Sequence, residues 1–313
     1  MLLFITKRTL FAISQMFAIT AIAFALLYLS SDGIARSILG DQATEEAVAA
    51  KSAELGLDRP LLVRYFEWLG STLQGDLGSS WFTPQSVSDA LLSRLPVTLS
   101  LLIATTIVAG VLAFGLGVAA AVYRGWLDRF VQVLSVVGYA IPGFLVALFL
   151  VLLFSITLGW LPATGYVPIS EDPLGWLRTM IMPIIALSIS MIAATAQQVR
   201  GAMIDVLRQD YIRTLRSRGT SESEIVLKHA LRNASGTGLT VLGLQFVGLL
   251  GGAIIVEQIF ALPGLGTVAI QYTTRGDIPV VMGLLLVTSL IVAVANLLVD
   301  LVVGVLNPKA RVA

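Results

Sequence analysis

The sequence predicts an all-α polytopic membrane protein with six transmembrane helices. Apolar residues make up 57% of its 313 residues and charged residues only 12%, and the mean hydropathy is +0.89, which is too apolar for a soluble domain of this length. Six windows free of charged residues are each long enough to cross a hydrocarbon core about 30 Å thick, which takes about 20 helical residues. An outer-membrane barrel is excluded because its strands would alternate polar and apolar residues over segments of about 10 residues.

The six windows follow one another along the chain. They are residues 10–29, 97–122 and 130–158, and then the stretches between Arg178 and Arg200, between Arg232 and Glu257, and between Asp277 and Asp300. Because a charge in mid-bilayer costs about 2.5–3.5 kcal/mol on insertion scales, such windows indicate membrane spans. The third window ends at Gly159-Trp160-Leu161-Pro162, where Trp suits the interface and Pro stops a helix. Within that window, Tyr139-Ala140-Ile141-Pro142 predicts a kink.

The basic residues predict the orientation. If the windows alternate, most of the 20 lysines and arginines fall on the same side as the N-terminus, whereas most acidic residues fall on the other side. The positive-inside rule therefore places both termini in the cytoplasm, and we expect a multi-pass membrane protein. The first window follows Lys7-Arg8, and its length and the lack of a clean small-x-small site favour an uncleaved helix over a signal peptide.

The windows and loops predict three regions. Residues 1–95 form the first transmembrane helix and an extracytoplasmic segment, which is too small and too polar for a sizeable core of its own but contains apolar helix-like pieces such as Leu61–Leu73. Residues 96–306 form a five-helix core, with one long cytoplasmic loop at 201–234. Residues 307–313 form a cytoplasmic tail.

Several kinds of chemistry have no support in the sequence. The chain has one histidine and no cysteine, and it lacks the Gly-rich Lys-Ser/Thr loop that binds ATP phosphates. It also lacks the His-Glu-x-x-His pattern of a metalloprotease. We therefore expect no catalytic residue, no metal site and no cofactor on this chain, and nothing indicates a nucleic-acid partner.

The loop at 201–234 is the strongest candidate for a functional segment. Ser221 with Glu224 three residues later predicts a capping box and a short helix from about Ser221 to His229, with Ile225 on its apolar face. Gly219 just before it allows a sharp reversal of the backbone. A capped amphipathic helix suits a groove on a partner protein, and it equally suits the surface of an anionic lipid membrane. Residue chemistry alone leaves both readings open.

A family resemblance favours the partner protein. Arg213-Thr214-Leu215-Arg216-Ser217-Arg218-Gly219-Thr220-Ser221, with Ile225 and His229-Ala230-Leu231-Arg232-Asn233-Ala234, resembles the cytoplasmic loop of ABC importer permeases of the dipeptide/oligopeptide/nickel family. The resemblance covers nearly the whole chain, and further motifs in family order are Gly56-Leu57-Asp58-Arg59-Pro60-Leu61, Gly75-Asp76-Leu77-Gly78-Ser79-Ser80, Leu158-Gly159-Trp160-Leu161-Pro162-Ala163-Thr164-Gly165, Glu257-Gln258-Ile259-Phe260-Ala261-Leu262-Pro263-Gly264-Leu265-Gly266, Asn296-Leu297-Leu298-Val299-Asp300 and Asn307-Pro308-Lys309. The chain departs from the family at Leu215 and Arg218, where alanine and lysine are usual, and at Ser31-Asp32-Gly33, where Gly-Asp-Pro is usual.

The resemblance implies the transmembrane domain of a type I ABC importer, a multi-pass protein of the bacterial inner membrane. Its partners would be a second homologous permease, one or two ATP-binding subunits that carry ATP and Mg²⁺, an extracytoplasmic substrate-binding protein and membrane lipid. The family's loop motif assigns ATPase coupling to Arg213, Arg216, Arg218, Gly219, Ser221, Glu224, Ile225, His229 and Arg232. Di- or oligopeptides are the expected substrates, with nickel, opines, glutathione and sugars as alternatives. A channel or secondary transporter that needs no ATPase is the competing class.

Polar or motif residues near the spans are candidates for the translocation path or a gate: Gln245, Glu257, Pro263, Gly264 and Asn296. Polar groups within a bilayer are costly and therefore need an explanation. For Glu257 we favour a carboxylate at the membrane interface. For Gly248 and Gly252, and for the glycines at 110, 115 and 117, we favour close helix packing over a pore lining.

Overall fold

The computed structural model describes residues 2–29, 31 and 33–306, and this part of the chain is helical apart from its loops. The predicted tail at 307–313 and Asp32 of the first outer motif lie outside the described residues. The helices are α1 (Leu2–Leu29), α2 (Ile34–Leu39), α3 (Glu45–Glu54), α4 (Leu61–Leu73), α5 (Val87–Leu92), α6 (Leu95–Val122), α7 (Trp126–Ala140), α8 (Gly143–Leu150), α9 (Pro173–Leu207), α10 (Asp210–Ser217), α11 (Glu222–Glu224), α12 (Leu231–Ile259), α13 (Leu265–Arg275) and α14 (Ile278–Leu306). Two π-helical stretches, Val151–Thr157 and Ile225–Ala230, continue α8 and α11.

Five helical segments of the described chain are long and apolar enough to cross a membrane. They are Thr6–Leu29, Val87–Val122, Pro173–Leu207, Glu222–Ile259 and Ile278–Val305. A sixth span exists if α7 and the α8 segment, Trp126–Ala140 and Gly143–Thr157, count together. The predicted single third helix over 130–158 is therefore wrong, because these two pieces meet at an angle of 94°.

The break in the third span has a local cause at the predicted kink. Pro142 has no N–H to donate and disfavours helical backbone in the residue before it. Ile141 is accordingly extended, with φ −86° and ψ 120°, and α8 begins anew at Gly143. The sequence thus indicated the position of the bend. The bend angle of 94° is larger than the predicted kink within one helix.

The chain divides into two compact units. Of the described residues, the first comprises 2–5, Val97–Pro263 and 294–306, and the second comprises those within Thr6–Pro96 and Gly264–Ala293. In the first unit, α9 packs against α7, α8 and α12. One buried cluster of this unit contains Leu101, Met180 and Leu262. Another lies nearer the predicted loop at 201–234, called the polar loop below, and contains Val199, Met203, Ile212, Ile225 and Ala230.

Close helix packing in the first unit depends on two glycines. A Cβ on Gly117 of α6 would lie 2.8 Å from the carbonyl oxygen of Ala196 on α9. A Cβ on Gly238 of α12 would lie 2.6 Å from Cγ2 of Val199, also on α9. Packing was therefore the correct reading for Gly117, whereas a Cβ on Gly115 would meet nothing within 4 Å.

The second unit is held by an aromatic cluster and a buried carboxylate. Phe24 of α1 packs against Tyr65 and Trp68 of α4, which is the predicted apolar helix Leu61–Leu73. Asp277, which has no exposed surface, accepts hydrogen bonds from Oγ of Ser80 and from the backbone N–H of Trp81. Such charge-assisted bonds are stronger than neutral ones, so Asp277 ties the loop after α4 to the start of α14.

Candidate functional site

The predicted coupling residues form one continuous segment in the first unit: α10, a turn at Gly219 and the helix that begins at Glu222. Ile212 of α10 and Ile225 have no exposed surface and pack with Val199 and Met203 of α9. Because both sides of the turn are anchored in the same apolar cluster, the segment is fixed to the long helices of this unit. Its position is therefore coupled to theirs.

Gly219 provides the reversal that the sequence predicted. Its φ is +80°, a region that residues with a Cβ adopt only at a cost. The N–H of Gly219 donates to the carbonyl of Arg216 at 3.0 Å, and the N–H of Thr220 donates to that of Leu215 at 3.1 Å. This pair of bonds is a Schellman motif, which satisfies the last carbonyls of α10 and directs the chain toward α11.

The predicted capping box is only half present. Oγ of Ser221 accepts a hydrogen bond from the N–H of Glu224 at 3.4 Å, as expected for an N-cap. The Glu224 side chain does not return to the N-cap amide. Its Oε1 instead accepts from Nζ of Lys228 at 3.0 Å, because a residue four positions later lies on the same face of the helix.

The helix that begins at Glu222 does not end near His229. It passes through a π-helical stretch, Ile225–Ala230, and continues as α12 to Ile259. No glycine or proline lies between Ser221 and Ser235 to stop it. The short separate helix of this segment is α10, whereas the residues assigned to a short helix form the first turns of a long one.

The basic face of the segment is exposed. Arg216 donates two hydrogen bonds to Glu222, from Nε at 2.6 Å and from Nη2 at 3.2 Å, across the turn. Arg213, whose side chain is 75% exposed, lies 3.4 Å from Asp210. Asn233 Nδ2 donates to the hydroxyl of Tyr211 at 2.8 Å and so ties α12 to α10. Of the predicted residues, His229 is half-buried and Ile225 is buried, and the exposed ones are Arg213, Arg216, Arg218, Gly219, Ser221, Glu224 and Arg232.

One ion pair near this segment was missed by the sequence reasoning. Arg200 of α9 donates to both carboxylate oxygens of Asp128 in the first turn of α7, and both side chains are less than one fifth exposed. The two residues are 72 positions apart, so no spacing in the sequence indicates their contact. The pair joins α7 to α9 just before the polar loop.

The predicted path residues Gln245 and Glu257 lie apart on α12. Gln245 lines a cavity of about 310 Å³ with Tyr139, Ser190 and Gly248. Glu257 lies twelve residues further along α12, which is about 18 Å at 1.5 Å per residue. Asn296 and Pro263 are exposed, and Gly264, the first residue of the second unit, is buried.

Glu257, for which we favour a carboxylate at the membrane interface, is buried within the protein. It has no exposed surface, and its Oε1 accepts a hydrogen bond of 2.6 Å from Oγ1 of Thr98 on α6. The reason is the end of α12, where a Schellman motif turns the chain back: the N–H of Leu262 donates to the Glu257 carbonyl at 2.8 Å, and that of Ala261 to Gln258 at 3.2 Å. The last turn of α12 is thereby held within the apolar cluster.

Gly252 and Gly248 were both expected to serve helix packing, and the structure supports this for Gly252 but not for Gly248. A Cβ on Gly252 would lie 3.3 Å from Leu187 of α9, whereas one on Gly248 would meet nothing within 4 Å. Both glycines line the cavity beside Gln245. Within the described residues, no group of three or more His, Asp or Glu side chains is arranged to hold a metal ion.

The fold and this anchored basic segment define a membrane-spanning transport subunit. The chain belongs to the family described as binding-protein-dependent transport system inner membrane component, whose model matches residues 112–312, and the matching N-terminal family model covers residues 1–102. It is a pore-forming permease subunit and a multi-pass protein of the inner membrane.

Relatives extend over the whole chain. A Brucella abortus (strain 2308) protein, named as a presumptive peptide transport system permease, is 42% identical over 98% of both chains. The glutathione transport system permease protein GsiC of Salmonella paratyphi A (strain ATCC 9150 / SARB42) is 37% identical over 99% of both chains. The inward-facing MetNI methionine ABC transporter has a similar fold, with a TM-score of 0.53 and 20% identity over 66% of this chain and 93% of that one.

Proposed function

We propose that this permease forms half of the pore of an ATP-driven importer for di- and oligopeptides, and that α10, the Gly219 turn and the helix from Glu222 couple it to ATP hydrolysis. The main support is that this exposed basic segment is anchored by Ile212 and Ile225, which are buried in the same apolar cluster as residues of α9. A second homologous permease completes the pore, one or two separate ATPase subunits hold ATP and Mg²⁺, and an extracytoplasmic binding protein delivers the substrate.

The anchoring suits the transmission of a rigid-body movement. A short helix that lies in a groove of an ATPase follows that subunit when the ATPase pair closes. Because Ile212 lies in one apolar cluster with Val199 and Met203, and because α9 and α10 both contact the π-helical stretch Ile225–Ala230, a displacement of α10 is passed to α9 and to the helices packed on it. In this proposal the polar loop and both termini are cytoplasmic, in agreement with the distribution of basic residues.

The relatives support peptides as the substrate class. One relative is named for peptide transport and another for glutathione, which is itself a tripeptide. Nickel, opines and sugars, which the family resemblance also allowed, have no specific observation in their favour.

Affinity purification of the tagged chain from its native membrane in mild detergent tests the assembly. We expect mass spectrometry to identify a second six-span permease and ATPases with phosphate-binding loops. Recovery of this chain alone, in a preparation where a known importer complex survives, would contradict the proposal and favour a channel or secondary transporter.

The coupling role is tested at Gly219 with two variants. Proline cannot adopt the φ of +80° and lacks the N–H that donates to Arg216, whereas asparagine tolerates left-handed backbone. A Cβ here meets nothing within 4 Å, so neither variant creates a clash at that atom. We expect Gly219→Pro to insert normally and to lose at least about 90% of ATP-dependent peptide uptake, while Gly219→Asn keeps most of it. Normal uptake by a well-expressed Gly219→Pro variant would contradict the coupling role.

A further inference from the structure

The first unit contains a second cavity that continues the one beside Gln245. It has a volume of about 560 Å³ and is lined by Ser135 and Tyr139 of α7 and by Gln197 and Gln198 of α9. Tyr139, at the break between α7 and α8, lines both cavities. Along α9 the lining passes from residues 186–191 in the first cavity to 193–198 in the second, so the two form one groove that runs toward the polar loop.

The polar side chains of this groove have no partners within the described part of the chain. No side-chain hydrogen bond to another described residue is formed by Tyr139, Ser190, Gln197, Gln198 or Gln245. Gln245 lies midway along α12, between Leu231 and Ile259, where a lipid-facing unpaired amide would be costly. The groove therefore faces water, a polar ligand or the second permease, and not lipid.

The chemistry of the lining indicates which ligand. Primary amides and hydroxyls both donate and accept hydrogen bonds, as do the N–H and C=O groups of a peptide backbone. None of the described residues that line either cavity is charged. The volumes, about 310 and about 560 Å³, are in the range of small-molecule sites. Such a surface distinguishes a peptide group from lipid without selecting for the charge of a side chain.

We propose that this groove, defined by Tyr139, Ser190, Gln197, Gln198 and Gln245, is the surface along which a transported peptide slides, and that its amides bind the peptide backbone. The proposal rests on the proposed function as a peptide importer. In this proposal the permease accepts peptides whatever the charge of their side chains, because the amides that bind the peptide backbone are themselves neutral.

Single cysteines test whether the groove faces the substrate. The chain has no cysteine, so each variant carries one thiol. Gln245→Cys and Gln198→Cys report on the groove, and the control is Leu244→Cys, whose side chain is 66% exposed on α12 and lines neither cavity. The assembled importer in nanodiscs is treated with a charged methanethiosulfonate reagent during turnover, with and without trialanine.

We expect the two groove cysteines to react at least tenfold faster than Cys at position 244, and trialanine to slow them at least threefold. Equal rates at all three positions, or groove rates that trialanine leaves unchanged, would overturn the proposal. Groove cysteines that stay unreactive would also overturn it and would identify this face as a contact with the second permease. Absence of trialanine uptake by the unmodified complex would instead refute the peptide importer itself.

A charge placed in the groove tests its tolerance of side chains. In Gln198→Lys, we expect uptake of trilysine to fall at least tenfold relative to that of triglutamate, whereas the unmodified importer transports both within about threefold. A merely structural role for Gln198 would lower both rates equally, and that result would contradict the proposal. Gln198→Glu is the matched control and should shift the ratio in the opposite direction.

Discussion

At the scale of single residues, two helices end in the same left-handed backbone conformation, one at a glycine and the other at an alanine. Gly219 after α10 and Ala261 after α12 both have positive φ, +80° and +49°, and both lie at the turn of a Schellman motif. Glycine adopts this conformation freely, whereas left-handed backbone costs a residue with a Cβ about 1–2 kcal/mol. The sequence signals the first turn through its glycine and gives no signal for the second.

Ala261 is therefore a strained position that glycine should relieve. The side chain of Ala261 is exposed, so packing does not confound the substitution. We expect Ala261→Gly to leave stability unchanged or raise it by up to about 1 kcal/mol, since the lower strain is partly offset by the greater freedom of glycine in the unfolded chain. Ala261→Val should lower stability by about 1–2 kcal/mol. Thermal unfolding of the purified complex measures both, and a glycine variant less stable than the alanine protein would contradict the assignment of strain.

At the scale of secondary-structure elements, the sequence predicted those that depend on local signals. It gave α4 at Leu61–Leu73, the spans of α6, α9, α12 and α14, and the position of the break at Pro142. It could not give the 94° angle of that break, because the angle depends on what α7 and α8 pack against. It also separated Glu222–Ala230 from α12, since a capping signal gives the start of a helix and not its end.

The contact of α6 with α9 provides a matched pair of glycines. A Cβ on Gly117 would lie 2.8 Å from a backbone oxygen of α9, which cannot rotate away, while Gly115 on the same helix has open space. We expect Gly117→Ala to lower the free energy of unfolding by about 1–3 kcal/mol and to reduce the amount of assembled complex. Gly115→Ala should be neutral or slightly stabilising, because alanine is the better helix former. Equal melting temperatures for the two variants would refute this packing.

At the scale of the whole molecule, several buried or half-buried polar contacts join residues far apart in sequence. Arg200 and Asp128 are 72 positions apart, Thr98 and Glu257 are 159 apart, and Ser80 and Asp277 are 197 apart. Composition and periodicity report on neighbours along the chain and not on such pairs. The geometry of the segment from α10 to the helix that begins at Glu222 was largely predictable, because its cap, turn and basic residues lie within about twenty positions. The groove was not, because it combines single polar residues from α7, α9 and α12.

The orientation of the whole chain is a prediction that the absence of cysteine makes easy to test. Basic residues are retained on the cytoplasmic side during insertion, so the loop with Ser217 should be cytoplasmic and α4 with Ser71 extracytoplasmic. Both positions are exposed and neither lies in the groove. In spheroplasts, we expect a membrane-impermeant maleimide to label Ser71→Cys directly, and Ser217→Cys only after the membrane is permeabilised. The reverse pattern would invert the topology and would place the basic segment beyond the reach of any cytoplasmic ATPase, because α10 and the Gly219 turn would then face the binding protein's side.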